Sequence, residues 1–218
     1  LTCTDGKIRL RHLSEDMTES EEEETTENPS EKIRELLRRY RSPKLRGFPT
    51  FTGGLVGYFS YDYLKYAEPI LRKKTNPGDS FRDVDLMLFD KVIVFDHYRQ
   101  KLILIAGVYP EDLENSYEQA GRELEDMERL LNSTARADFK PLYLKEEMKP
   151  VYSRECYCEM VKKAKHYIRE GDIFQVVLSN PLRAKAEGSL FDTYRVLRTA
   201  NPSPYMFYFS SDDIEVAG

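Results

Sequence analysis

No run of apolar residues in the sequence approaches the ~18 needed to cross a bilayer. Cysteine is scarce: three among 218 residues, an odd number. That excludes a disulfide framework and favours a reducing compartment, so a cytoplasmic location is expected. Basic charge is not in excess either, with 33 Lys and Arg against 38 Asp and Glu and a net charge of -5. Nucleic acids and anionic membranes, which favour basic patches, are therefore not the expected partners. No internal repeat is visible. With 40% hydrophobic and 33% charged residues, the chain reads as soluble and globular, long enough to bury a core in one large domain or two small ones. It opens on Leu1 without a methionine and stops at Gly218 just after a strand-like run, so it is expected to be a piece of a longer protein.

Read in order, Asp5-Gly6 between two short alternating stretches predicts a hairpin. Residues 14–27 then carry seven glutamates and almost nothing apolar. Such a segment cannot offset its ordering entropy by burial, so 14–28 is expected to be a flexible acidic insertion, or an acidic interaction tail. Asn28-Pro29 predicts a helix start, followed by the apolar face Ile33, Leu36, Leu37 and Tyr40. Gly53, Gly54 and Gly57 invite a phosphate-loop reading, but no Lys-Ser/Thr follows. Close backbone packing or a bulge is the expectation there, with a core strand at 55–61. A short turn or helix over 63–68 is expected to stop at Pro69.

Residues 84–95 are strand-rich and 102–108 form the next strand of an antiparallel pair. His97 between them reads as a turn histidine, because no nucleophile or orienting acid is near it in sequence. Pro110 opens a helix running to Leu131, and 133–150 is a polar connector. Ser153 caps the best helix, with Tyr157, Met160, Val161, Ala164, Tyr167 and Ile168 on one face and Gly171 at its end. Cys156 and Cys158 point to different faces of it, and His166 is a poor third ligand, so no metal site is expected from them. Residues 172–180 read as a strand with Gln175 as a buried polar group. Ser189-Leu190-Phe191-Asp192 resembles a capping box opening a helix that runs to Asn201.

Asn201-Pro202-Ser203-Pro204-Tyr205-Met206-Phe207-Tyr208-Phe209 is the most constrained stretch. Two prolines at alternate positions fix φ and extend the residues before them, and an aromatic strand follows. Such a corner suits either a rigid entry to a core strand or the wall of a small-ligand pocket.

Three dense motifs stand in order: Phe51-Thr52-Gly53-Gly54-Leu55-Val56-Gly57-Tyr58, Ile168-Arg169-Glu170-Gly171-Asp172-Ile173-Phe174-Gln175-Val176-Val177-Leu178-Ser179 and Asn201-Pro202-Ser203-Pro204-Tyr205-Met206. With Val94-Phe95-Asp96-His97 between the first two, the chain from about Pro29 onward resembles the anthranilate synthase large-subunit (component I) family of chorismate-utilising enzymes. Aminodeoxychorismate synthase large subunits share much of the pattern; Phe95-Asp96-His97 and the intact Pro-Ser-Pro-Tyr-Met favour the former.

The resemblance implies an α+β fold, antiparallel sheets packed as an orthogonal sandwich flanked by helices. The 218 residues would form part of one composite domain, with the chorismate-binding region starting at about 151–218. It implies a lyase of tryptophan biosynthesis that converts chorismate and ammonia to anthranilate and pyruvate. Glutamine, through an amidotransferase subunit, is the implied ammonia source. Mg²⁺ on glutamate carboxylates is the implied cofactor, and tryptophan the feedback inhibitor. The catalytic and metal-binding residues of that family are expected C-terminal to Gly218, and its Leu-Leu-Glu-Ser motif before Leu1. Only Pro204, Tyr205 and Met206 carry over, as inhibitor-binding residues. The contrasting expectations are aminodeoxychorismate synthesis for folate and a non-catalytic binding module.

Overall fold

The computed structural model describes residues 1–13, 19–68, 70–71 and 81–218. They divide into two compact units, Leu1–Ala135 and Arg136–Gly218, and the division falls inside the expected connector 133–150. Both units are α+β with antiparallel strand pairs.

In the first unit, β1 (Thr2–Thr4) and β2 (Lys7–Leu13) form the expected hairpin. Asp5 and Gly6 both take positive φ, +48° and +80°, as a tight primed turn requires. β3 (Glu19–Thr25) follows, then α1 (Pro29–Arg39), β4 (Gly54–Phe59), a 3₁₀ turn at Tyr61–Tyr66 and β5 (Val84–Phe89). The sheet runs β3-β2-β1-β5-β4, antiparallel throughout. Its core is Cys3, Ile8, Leu10, Ile33, Val84 and Leu86, backed by Leu36, Leu55, Tyr63 and Tyr66. Gly57 explains part of the glycine cluster: a Cβ there would lie 1.9 Å from the Asp85 carbonyl oxygen, so β4 and β5 approach too closely for any side chain. β6 (Lys91–Asp96) and β7 (Lys101–Ala106) make a separate two-stranded pair on which α2 (Leu113–Asn132) packs after a 3₁₀ turn at Pro110–Asp112.

The acidic stretch departs from expectation. Residues 14–18 and Pro69 lie outside the described residues, but Glu19–Thr25 is an edge strand paired along its length with β2, not a flexible insertion. The reason is the phase of the charges. Lys7, Arg9 and Arg11 share one face of β2, and Glu23 and Glu21 lie opposite Arg9 and Arg11 on β3. Glu23 accepts from Lys7 and Arg9, Glu21 lies 3.5 Å from Arg9, and on the other face Glu24 is 3.6 Å from Lys32 of α1. Opposite charges facing across a ladder stabilise the pair, and a charged edge resists further strand addition.

A second polar assembly ties the β1–β2 turn to the 3₁₀ turn and to the start of β5. The Lys65 ammonium lies 2.6 Å from Asp5 and 2.9 Å from the buried Asp83. The Tyr66 hydroxyl donates to Asp83 and accepts from the Gly6 N–H. Burial opposes the charged form of Lys65 most strongly, yet the bonds to Asp5 and Asp83 outweigh it and raise its pKa above 10.5. Its contribution is therefore complete below pH 10.5 and lost as pH rises through the raised value.

The second unit holds β8 (Tyr143–Leu144), β9 (Lys149–Pro150), α3 (Arg154–Glu170), β10 (Leu182–Arg183), β11 (Ala186–Glu187), α4 (Phe191–Ala200), β12 (Tyr208–Ser210) and β13 (Glu215–Ala217). The pairs are β8 with β11, β9 with β10 and β12 with β13, so the polar connector supplies two short strands. α3 has the expected caps: the Ser153 hydroxyl accepts from the Cys156 N–H, and Gly171 sits at φ +83°. Residues 172–180 are not a strand. No ladder partner pairs with them among the described residues, Gln175 is exposed rather than buried, and Phe174 is 100% exposed.

Two outcomes test the polar assemblies. Asp83→Ala leaves Lys65 and Tyr66 without their buried acceptor and is expected to lower unfolding free energy by about 3 kcal/mol or more, read by urea denaturation. In the β2–β3 ladder, the bond from Lys7 leads the effects that hold the Glu23 carboxyl below its ordinary 4.5. That support is present above pH 4.5 and is lost as pH falls through the depressed value. Acid, and salt at about 1 M by screening, should lower the protection of the Glu19–Thr25 amides relative to their intrinsic exchange at the same pH; equal protection factors at pH 7 and pH 3 would contradict the ladder.

Candidate functional site

The chain from residue 188 to Gly218 folds into one local assembly. Gly188 turns at φ +97°, where a Cβ would lie 2.2 Å from the Pro141 carbonyl oxygen, so only glycine lets the chain pass this close. Ser189 follows, its N–H donating to the Lys140 carbonyl, and α4 begins. The expected capping box does not form: the cap position is Leu190, which has no side-chain cap bond. The Ser189 hydroxyl accepts from the Phe191 N–H at 3.1 Å, but Asp192 pairs with Arg195 at 2.9 Å instead of reaching back. The Ser189 N–H is already taken by Lys140, which leaves Asp192 nothing to cap.

The carboxylate at the start of α4 is Glu215, from β13. It accepts from the Leu190 N–H and from the Ser189 hydroxyl, the latter at 2.9 and 3.1 Å. Burial opposes its charge most strongly, but the Leu190 N–H, the Ser189 hydroxyl and the Tyr208 hydroxyl outweigh that and hold its pKa below the ordinary carboxylate value. A negative group beside free N–H groups at a helix N-terminus is stabilised by both bonds and dipole. Tyr208 on β12 packs its ring against Phe191 at 5.3 Å and Tyr194 at 5.9 Å, and Phe139 stacks on Phe191 at 4.6 Å.

Pro204, Tyr205 and Met206 stand together in the seven residues that join α4 to β12. At the far end of that loop the Phe207 and Gly218 backbones exchange two hydrogen bonds, 2.9 and 3.1 Å. Tyr205 is 92% exposed, Pro204 is exposed and Met206 is half-buried. A pyrrolidine ring, a phenol and a thioether suit contact with an apolar or aromatic ligand rather than bond-making.

The other sequence candidates lie on other elements. His97 is exposed in the β6–β7 turn, as its turn reading expects, beside a shallow hollow of about 400 Å³ lined by Phe95, Asp96, Gln100, Lys101 and Leu102. Cys156 and Cys158 are exposed on α3, and His166 lies 3.8 Å from Glu170. Among the described residues no three His, Cys, Asp or Glu side chains are grouped to hold a metal ion, so these residues do not fit a Mg²⁺ centre. No described helix is long and apolar enough to cross a membrane. Glu215 is the residue that sequence reasoning missed: its partners lie 25 and 26 positions upstream, beyond any local capping pattern.

Comparison with known proteins gives concordant matches. The family model described as chorismate binding enzyme matches residues 4–218. The anthranilate synthase component 1 of Aquifex aeolicus is 34% identical over 197 residues, 88% of this chain and 40% of that protein. The component 1 of Pseudomonas aeruginosa is 36% identical over 192 residues, 85% of this chain and 39% of that protein. The chloroplastic anthranilate synthase alpha subunit 2 of Arabidopsis thaliana is 37% identical over 204 residues, 85% and 32% respectively. The chain therefore spans about 40% of the length of the bacterial relatives it matches. The crystal structure of anthranilate synthase component I from Streptococcus pneumoniae TIGR4 superposes with a TM-score of 0.70 at 26% identity, covering 97% of this chain and 49% of that one.

Proposed function

The chain belongs to the family of chorismate-binding enzymes, and on that premise we propose that it acts within an anthranilate synthase large subunit, where it carries one wall of a tryptophan effector site. The observation that supports this reading most is the family match across residues 4–218, which includes Pro204, Tyr205 and Met206 in their loop. The printed names of the relatives, from bacteria to a plant, point the same way.

In this reading the complete cytoplasmic subunit adds ammonia to chorismate with loss of the hydroxyl, then eliminates pyruvate to leave anthranilate. A glutamine amidotransferase supplies the ammonia. The proposal assigns Mg²⁺ and the proton-handling groups to other parts of the subunit. What these residues contribute is a surface held in place before ligand arrives. Pro202 and Pro204 remove backbone freedom from the loop, so little ordering entropy remains to be lost when tryptophan seats against it. Met206 offers a polarisable thioether to an indole ring, and Pro204 and Tyr205 offer flat apolar faces.

Three measurements test the reading. With chorismate, ammonia and Mg²⁺, the full-length protein should release anthranilate, seen by its fluorescence; aminodeoxychorismate as the product would overturn the assignment. Met206→Thr replaces the thioether by a shorter, polar group and removes contacts worth about 1–2 kcal/mol. The tryptophan concentration that halves each protein's own uninhibited rate should rise about tenfold, and unchanged inhibition would remove Met206 from the pocket. The 218 residues alone should form no anthranilate; turnover by them would bring the active site into this segment.

A further inference from the structure

The loop that carries Pro204, Tyr205 and Met206 is one arc of a closed circuit. From the start of α4 the chain runs along ten helical residues, through the seven loop residues, into β12, around a turn closed by the Ser211 N–H to the Ile214 carbonyl, and along β13. Glu215 on β13 then returns to the start of α4 through Leu190 and Ser189. A ten-residue helix is a rod of about 15 Å. A bond at one end of such a rod therefore governs where its other end delivers the loop.

We propose that Glu215 is a positioning residue for the effector loop: by holding the start of α4 against β13 it fixes where Pro204, Tyr205 and Met206 stand, and so sets affinity for the effector. The inference rests on the tryptophan reading for the identity of the ligand and on the circuit for the device. Within the circuit the loop has no ladder of its own. Its ends are fixed by the Asn201 N–H to the Leu197 carbonyl and by the Phe207–Gly218 pair. The ring contacts of Tyr208 with Phe191 and Tyr194 hold α4 beside β12 but leave rotation about the rings free to adjust. The Glu215 bonds are directional and charge-assisted, so they set the remaining angle. Both carboxylate oxygens are used: one takes the Leu190 N–H, and both lie within reach of the Ser189 hydroxyl. An amide in place of the carboxylate keeps an acceptor for the Leu190 N–H but loses the charge and the Ser189 hydroxyl's donated bond, and so loosens the start of α4. The loop then samples more positions, and the preorganisation that favours ligand is lost.

The test uses the full-length protein with Glu215→Gln, Glu215→Ala, Ser189→Ala and the Glu215→Gln/Ser189→Ala double variant, with Met206→Thr as reference. Tryptophan binding is read by calorimetry and amide exchange is read over residues 205–209. Glu215→Gln should weaken tryptophan binding by about fivefold or more and speed exchange in the loop. Ser189→Ala should shift both in the same direction by less. The double variant should be no worse than Glu215→Gln alone, as for partners in one contact. If Glu215→Ala fails to fold, shown by its thermal transition, the amide and Ser189 variants carry the result. Weakened binding by Met206→Thr with wild-type binding and exchange in Glu215→Gln overturns the inference and leaves the tryptophan reading standing. Weaker binding without faster loop exchange also overturns it, since Glu215 would then act on the ligand directly. A wild-type protein that does not bind tryptophan overturns the reading itself, and the inference with it.

Discussion

The first unit depends on one residue more than any other. Asp83 sits just before β5, and its backbone N–H donates to the Cys3 carbonyl while its own carbonyl accepts from Ser60. Its side chain accepts from the Asp5 N–H and the Tyr66 hydroxyl and faces the Lys65 ammonium. Five contacts, two of the backbone and three of the carboxylate, thus join the β1–β2 hairpin, the end of β4, the 3₁₀ turn and β5 at one residue. A charge this deep is tolerated only because every direction around it holds a donor. The hydrophobic core alone would let these elements slide, since burial is non-directional. The Asp83 bonds specify the one arrangement in which Cys3, Val84 and Leu86 fall on the same side.

The β2–β3 ladder shows the same rule at the surface, and shows where local sequence reasoning stops. Seven glutamates in fourteen residues imply a flexible insertion by composition, but composition carries no phase. Lys7, Arg9 and Arg11 alternate with Ile8 and Leu10, so β2 carries a basic face and an apolar face. A run of consecutive glutamates is a poor strand by itself and a good one beside that face. The pattern was legible in both segments, but only once they were read as a pair. By contrast, the Asp5-Gly6 turn, the Ser153 and Gly171 caps and the Pro29 helix start were legible locally, because each is satisfied by its own neighbours.

Residues 172–180 mark the opposite error. Ile173, Phe174, Val176, Val177 and Leu178 have the composition of a strand, but strand propensity measures fit to a pleated, half-buried surface rather than a preference of the chain itself. In the described residues that run meets no such surface, and Phe174 stands clear of all others. For the candidate site, the loop was visible because proline acts through its own ring. Glu215 was not, because a carboxylate gains its role from a helix start more than twenty residues earlier.

The two units are stabilised differently, and that bears on how an effector could act. The first unit buries a core of six apolar residues; within the second no residue is fully buried. The circuit of α4, the loop, β12 and β13 therefore relies on ring contacts, on the Phe207–Gly218 backbone pair and on Glu215. On the proposed reading, an effector seated against Pro204, Tyr205 and Met206 that binds only the ordered arrangement would stabilise the whole circuit by linkage. Recognition and local order are then one equilibrium.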